Sequence, residues 1–303
     1  MCWCDGYRRR VKAVLCKSAS AHAVWLTVLV TLAAVTEAQS GGLFSLREAT
    51  VQAFSSYVAK TETQNAETLR QGPFLWVDGL PDKDRTAAIA RLEAGEVELR
   101  RLSASGAGRN VDVPSGMIHD WEGIVFIPGA KLDEVLQVLE DYNHQSTYYA
   151  PDVTKSRIES HQGDQFRVFL QFRRHKVVTV VLNTEHLITY YRDSPLRAHS
   201  RSSAIRISQV QDPGSAQEKE KRPGDDDGFL WRMETWWRME ERDGGVYVQN
   251  QAVTLTRDIP AGLGWLVEPF ITKIPEETLQ FTLNATRQAV TGKEKSAEKI
   301  GSH

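Results

Sequence analysis

The chain has 303 residues, with 37 Lys and Arg against 39 Asp and Glu and a net charge of −2. That near balance excludes the basic face that nucleic acid requires. The length allows one large domain, or a domain with an appendage, and a core that needs no covalent staples.

The first segment reads as an export signal. Arg8, Arg9, Arg10, Lys12 and Lys17 precede an apolar run from Ala21 to Val35, and Thr36-Glu37-Ala38 leads to Gln39. A basic region, a short apolar core and a small residue before the cut define a secretory signal peptide over residues 1–38. The run is about 15 residues, short of the roughly 20 that span a bilayer, so cleavage is expected rather than a retained anchor. The expected location is exported, either periplasmic or secreted in a bacterium. Cys2, Cys4 and Cys16 all lie in this segment, so a chain starting at Gln39 has no thiol for catalysis, disulfides or thiolate metal binding. Cleavage also removes five basic and two acidic residues, leaving a net charge of −5.

Phe44, Leu46, Ala49, Val51, Phe54, Tyr57 and Val58 have helical spacing, and Gly72-Pro73 stops that helix. A second helix is predicted from Asp82, as its cap, to Ala94, then a short strand from Glu96 to Leu102. Ser103 to Asn110 is rich in Gly and Ser and reads as a linker. Residues 39–112 therefore read as a helical extension without a complete core of its own.

From Gly116 the pattern changes to strands. Met117–Ile127 is a strand, Leu132 to Leu139 a helical face, and Asn143–Pro151 a short Tyr-rich piece. Strands follow at Val153–His161, Phe166–Arg174, Val177–Tyr191 and Arg197–Val210. Gln211 to Asp227 reads as a solvated loop. Phe229–Glu240 alternates, with Phe229, Trp231, Met233, Thr235, Trp237 and Met239 on one face and Arg232, Glu234, Arg238 and Glu240 on the other, which is expected to meet solvent. Trp236 interrupts that polar face and either packs under the extension or anchors a partner or membrane. Asp243-Gly244-Gly245 is a hairpin turn, and its return strand runs from Val246 to Asp258. Gly262 and Gly264, with Pro260 and Pro269, mark a joint, with a helical turn from Trp265 to Phe270. The last helix starts at Pro275 and reaches Val290, with Glu276 and Glu277 at the positive end of its dipole. Residues 291–303 read as a frayed tail.

The order is one strand, one or two short helices, six strands and one long helix. Val135 to Tyr142, the stretch Tyr149-Ala150-Pro151-Asp152-Val153, Gly245 to Val248, Leu255 to Pro260 and the helix up to Arg287 give a pattern that resembles the SRPBCC, or START-like, superfamily. That group includes polyketide cyclases and dehydrases, lipid-transport proteins and coenzyme Q-binding proteins. The resemblance covers about residues 113–290. It implies an α+β helix-grip fold, with a curved antiparallel sheet of about seven strands wrapped around a long C-terminal helix, and an N-terminal helical extension. It also implies a cavity between sheet and helix for a lipid-, quinone- or polyketide-like ligand. The residues expected to wall it are Phe229, Trp231, Met233, Trp237, Tyr149, Phe169, Leu279 and Leu283. Packing of the same side chains into a filled core is the competing reading.

The sequence contains little else that carries chemistry. His144, His161, His175, His186 and His199 lack zinc-site spacing; His186 and His199 flank the Asp193-Ser194-Pro195 turn and are candidates to meet on paired strands. Tyr142, Tyr148, Tyr149, Tyr190 and Tyr191 place hydroxyls at element ends, suited to a site mouth. No Gly-x-Ser-x-Gly elbow or phosphate-binding Gly-rich loop is present, and the sequon at Asn284 falls inside the last helix. The expectation is an exported, non-catalytic carrier of a small hydrophobic ligand, with no metal, cofactor or nucleic acid and with membrane-surface contact left open. A cyclase- or dehydrase-type enzyme and a protein-interaction module are the alternatives.

Overall fold

A computed structural model describes residues 46–102, 113–175, 179–258 and 273–301, with side chains up to residue 292. The expected signal segment and the joint at Gly262 to Phe270 lie outside the described residues. The first helix, α1, spans Glu48–Gln71 and is followed by a 3₁₀ turn at Trp76–Gly79 and α2 at Asp82–Glu93. Asp82 is the first helical residue rather than the cap, which is Pro81; its carboxylate takes Arg85 Nη2 at 2.7 Å.

The sheet is built from β1 (Glu98–Arg101), β2 (Gly116–Pro128), β3 (Val153–Gln162), β4 (Gln165–His175), β5 (Thr179–Ser194), β6 (Arg197–Gln211), β7 (Lys219–Glu220), β8 (Arg232–Arg242) and β9 (Gly245–Arg257). Between β2 and β3 lie α3 (Leu132–Leu139), a 3₁₀ turn at Tyr142–His144 and α4 (Gln145–Tyr148); α5 (Ile274–Gly301) closes the chain. All pairings are antiparallel, in the order β1-β2-β9-β8-β6-β5-β4-β3, with β7 attached to β6. Among the described residues nine strands form where about seven were expected. The two extra are β7, a two-residue pairing inside the predicted loop, and β1, which the extension lends to the sheet edge through Glu98↔Ile124.

Local chemistry explains the joints. The β8–β9 hairpin turns on Asp243 (φ 54) and Gly244 (φ 76), the left-handed pair that a two-residue turn with the twist of the strands needs. Helix α5 passes the expected end at Val290 and continues to Gly301. The added stretch carries several Lys and Glu, which favour helix without tertiary support.

The two faces of the sheet are covered differently. On one face, which we call concave, α5 packs on β2 and β9 and against α3 and α4. Its approach is close because position 123 is Gly: a Cβ there would lie 2.7 Å from Leu283 Cδ1 and 3.3 Å from Leu279 Cδ2. On the convex face, α1 lays Phe54, Tyr57 and Val58 on Trp236, Ile118 and Val253. The segment from Phe74 to Leu92 covers Ile124, Phe126 and Tyr247. Trp236 thus packs under the extension. Glu240 and Arg238 are buried there too, rather than meeting solvent as their alternation implied, because the extension covers the polar face of β8.

Candidate functional site

Alternation and register divide the concave face into two halves. In the first, Val125, Ile127, Val246, Val248, Met239, Ala198, Tyr190 and Phe166 meet Leu132, Val135, Val138 and Leu139 of α3 and Leu279 and Leu283 of α5. This half is a filled apolar core. Its hydroxyls pair internally: Tyr142 with Tyr190 at 2.7 Å, and Tyr149 with Thr286 of α5 at 3.0 Å.

The second half lies further along the same strands and has another character. The cross-strand row Ala252–Thr235–Ser202 is set by the pairs Thr235↔Ala252 and Ser202↔Thr235. The next row holds Thr254 and Met233, then Ala204 and His186. Alternation along β6 repeats the theme, with Ala198, Ser200, Ser202 and Ala204 on one face. Apart from Met233, and Trp121 opposite Ala252, these side chains are small or polar, and none of the small ones except Ala198 joins the apolar core cluster.

The polar groups of this half are neutral. His186 sits fully buried, with Nε2 2.9 Å from Thr184 Oγ1 and Nδ1 3.4 Å from Ser202 Oγ, and Phe172 meets its ring edge-on. Burial alone holds its pKa down to about 4, so the imidazole is uncharged at neutral pH. His119 on β2, 3.1 Å from Thr256 Oγ1, is also held down to about 4 by burial, with the nearby Arg101 charge adding to it. Asn250, next to Gly123 and Trp237 in register, is 3% exposed, and its Nδ2 donor has no partner among the described residues. A buried amide left in this way costs roughly 1–3 kcal/mol unless something accepts from it.

Helices α3 and α4 between β2 and β3, this strand order, and a long last helix across the concave face settle the architecture. This is a helix-grip fold. No protein-family model and no curated protein matches the sequence. Among solved structures, the chain is similar to TTHA0849 of Thermus thermophilus at 15% identity, over 56% of this chain and 96% of that one, with a TM-score of 0.41. It is similar to a STAR-related lipid transfer protein fragment from Xanthomonas axonopodis at 18% identity, over 64% and 98% of the two chains, with a TM-score of 0.39. It is also similar to the Zhui aromatase/cyclase from Streptomyces sp. R1128 at 14% identity, over 57% and 94%, with a TM-score of 0.39. These likenesses concern the fold alone.

Within the helix grip the predicted wall residues separate. Tyr149, Leu279 and Leu283 lie in the filled half, with Trp237 packed against it. Met233, half-buried opposite Thr254, belongs to the second half. Trp231 turns to the convex face instead, where it joins Phe54 and Trp236. The strand begins only at Arg232, so its alternation does not extend back. Gly228 (φ 70) bends the chain, and Asp226 Oδ1 holds Trp231 Nε1 at 2.9 Å. Phe229, in the same bend, is half-buried with the Arg257 guanidinium 5.6 Å from its ring centre. Phe169 is also convex, under Arg157, because Val168 and Leu170 take the concave positions of β4.

Other expected meetings differ as well. His186 and His199 are on opposite faces; His199 stacks on Tyr191 and binds Asp193. The residues that distinguish the second half, Ser200, Ser202, Ala204, Thr235 and Asn250, were not singled out from the sequence. The signal was there: four small residues at alternate positions of β6, with Ser202 opposite Thr235 of β8.

Proposed function

We propose that this protein binds a neutral hydrophobic molecule, lipid-, quinone- or polyketide-like, on the second half of the concave face beside α5. The observation that carries the reading is Asn250: a buried amide donor with no partner among the described residues, on the same face as Ala252 and Thr235. Small residues leave room under a closing helix, and a pocket of this kind needs only a few placed polar groups to orient a ligand. A carbonyl, quinone or ester oxygen is the acceptor that Asn250 lacks. The neutrality of His186 and His119 and the small, uncharged neighbours disfavour an anionic head. Burial of the ligand's apolar surface supplies the affinity, about 25 cal/mol per Å² removed from water.

Native mass spectrometry of the protein purified from its expression host, with organic extraction of what it carries, tests this directly. The expected result is a stoichiometric neutral lipid or quinone, or saturable uptake of a fluorescent sterol by the empty protein. Ala252→Leu, which fills the row, should reduce that uptake without unfolding the chain. An empty protein that takes up no probe, or uptake indifferent to Ala252→Leu, refutes the reading.

Residues 1–38 we assign to export, on the basic region, short apolar run and small residues before Gln39. N-terminal sequencing of the mature protein should begin at Gln39. A terminus at Met1 in the cell-associated protein would reverse that assignment.

A further inference from the structure

Helix α1 is laid over the convex face with little apolar contact of its own. Of its 24 residues only Thr50, Phe54 and Thr61 are buried. Most helical stability in a protein comes from tertiary packing, and the several Thr and Ser residues of α1 lower its intrinsic helicity further. The helix therefore keeps its shape through what it bonds to, and those bonds are polar. Thr50 Oγ1 donates to the Pro114 carbonyl, Tyr57 Oη to Asp120 Oδ2 at 2.6 Å and Asn65 Nδ2 to Gln251 Oε1 at 3.0 Å. In return Glu62 accepts from Arg201 Nε at 2.6 Å, and Asn65 Oδ1 from Arg238 Nη2 at 2.7 Å.

Asp120 differs from the other carboxylates along this boundary. Glu122, two residues on in β2, takes Arg100 Nε at 2.7 Å. Glu62 takes Arg201, and Glu234 of β8 takes Ser203 Oγ at 2.6 Å and Arg201 Nη1 at 3.1 Å. Asp120 is 4% exposed, and among the described residues only neutral side chains bond to it. These are Tyr57 from α1 and Gln251 Nε2 from β9, at 3.0 and 3.2 Å from its two oxygens. Of the charged groups around it, Glu122 opposes its charge, and Arg100, already bonded to Glu122, favours it. On β8 the residue opposite Gln251 is Trp236, flanked at alternate positions by Glu234 and Arg238. His199 of β6, opposite Arg238, is bonded to Asp193. Burial therefore raises the Asp120 carboxyl to about 6, against the opposing bonds from Tyr57 and Gln251.

We propose that Asp120 makes the docking of α1 depend on pH, so that the extension closes more firmly on the sheet in acid and loosens towards neutral pH. Lifting α1 removes Tyr57 and lets water reach the carboxyl, which then gives up its proton; closing takes the proton back. A group whose pKa is higher in the closed state favours closure fully below the open-state value, and that favour is lost as pH rises through the closed-state value. With the open value near 3.8 and the closed value near 6, closure strengthens by about tenfold from pH 7 to pH 5. Opening uncovers the apolar strip of Ile118, Trp236 and Val253 on which Phe54 lies.

Hydrogen exchange of the full chain tests this. Amides of α1 from Ala53 to Ala66 are read at pH 5 and pH 7 as protection factors corrected for intrinsic rates, and amides of α5 from Leu279 to Ala289 report the fold as a whole. Protection of α1 should be about tenfold higher at pH 5 than at pH 7, a rise that α5 does not share. Asp120→Asn, neutral at every pH, should abolish that difference. Tyr57→Phe removes a bond that is stronger to a charged carboxylate than to a protonated one, so it should cost α1 more protection at pH 7 than at pH 5; a merely structural hydroxyl would cost the same at both. If Asp120→Asn loses α5 protection as well, Tyr57→Phe decides. Protection of α1 that is flat or falls on acidification, a wild-type response in folded Asp120→Asn, or an equal loss at both pH values in Tyr57→Phe overturns the proposal.

Discussion

Replacing His186 with Gln should change how stability depends on pH, in a direction that burial dictates. The imidazole is fully buried on the concave face, and that burial lowers its pKa from 6.5 to about 4. The folded protein keeps it neutral, while the unfolded chain takes a proton as pH falls through 6.5. Its contribution is therefore complete above about pH 6.5 and is lost progressively as pH falls towards 4. The gap between the two values corresponds to roughly 3 kcal/mol by the bottom of that window. Two other groups titrate nearby in pH. His119 adds a loss of the same sign over the same range. Asp120, raised to about 6 by burial against the opposing bonds from Tyr57 and Gln251, works the other way. The folded state holds its proton between about 4 and 6 where the unfolded chain does not, so the fold gains as pH falls. The raw profile mixes these with the carboxylates that burial also raises, Glu122, Glu140, Asp152, Asp226 and Glu234, and the difference between wild type and His186→Gln isolates one group. Urea unfolding followed by circular dichroism across about pH 4 to 7 measures it. Wild type should lose its advantage over the variant by roughly 3 kcal/mol on going from the top of that range to the bottom. A difference that stays constant with pH would refute the burial argument, and with it the neutrality assigned to the concave site.

Leu283→Ala removes a side chain with no solvent exposure from the contact between α5 and the sheet; a loss of about 2–5 kcal/mol is expected in urea unfolding. Gly123→Ala places a Cβ 2.6 Å from Leu99 Cδ2 and 2.7 Å from Leu283 Cδ1, and the overpacking should cost about 1–3 kcal/mol, read as a lower melting temperature. Arg242→Gln breaks the paired contact with Asp78, at 2.7 and 3.0 Å, and the contact with the Tyr247 ring. Because this pair ties the segment before α2 to the sheet, limited proteolysis should cut between α1 and α2 sooner than in wild type, with the sheet fragment persisting.

Strands and helices were legible wherever hydrophobic period was clean. The limits of β2, β3, β4, β6 and β9 and the Asp243-Gly244 turn follow from alternation and turn chemistry within a residue or two. Trp231 was misplaced because alternation was read back to Phe229, whereas the strand begins only at Arg232. Phe169 was misplaced because an aromatic residue was given more weight than the alternation of its own strand. The site residues were passed over for the opposite reason. Ser202, Ala204 and Thr235 have little hydrophobic signal.

Local patterning thus determined by itself the element order, the antiparallel sheet and the amphipathic last helix, since each depends on spacing along the chain. Which face each element buries was a tertiary decision. The polar side of β8 reads as solvent-facing until α1 is laid over it, and Arg238, Glu122 and Glu240 then become buried charges whose partners lie far away in sequence. The concave face likewise divides into an apolar half and a half of mostly small and polar side chains only once α3, α4 and α5 have taken their places, because that division belongs to the packing of several elements and to no single one.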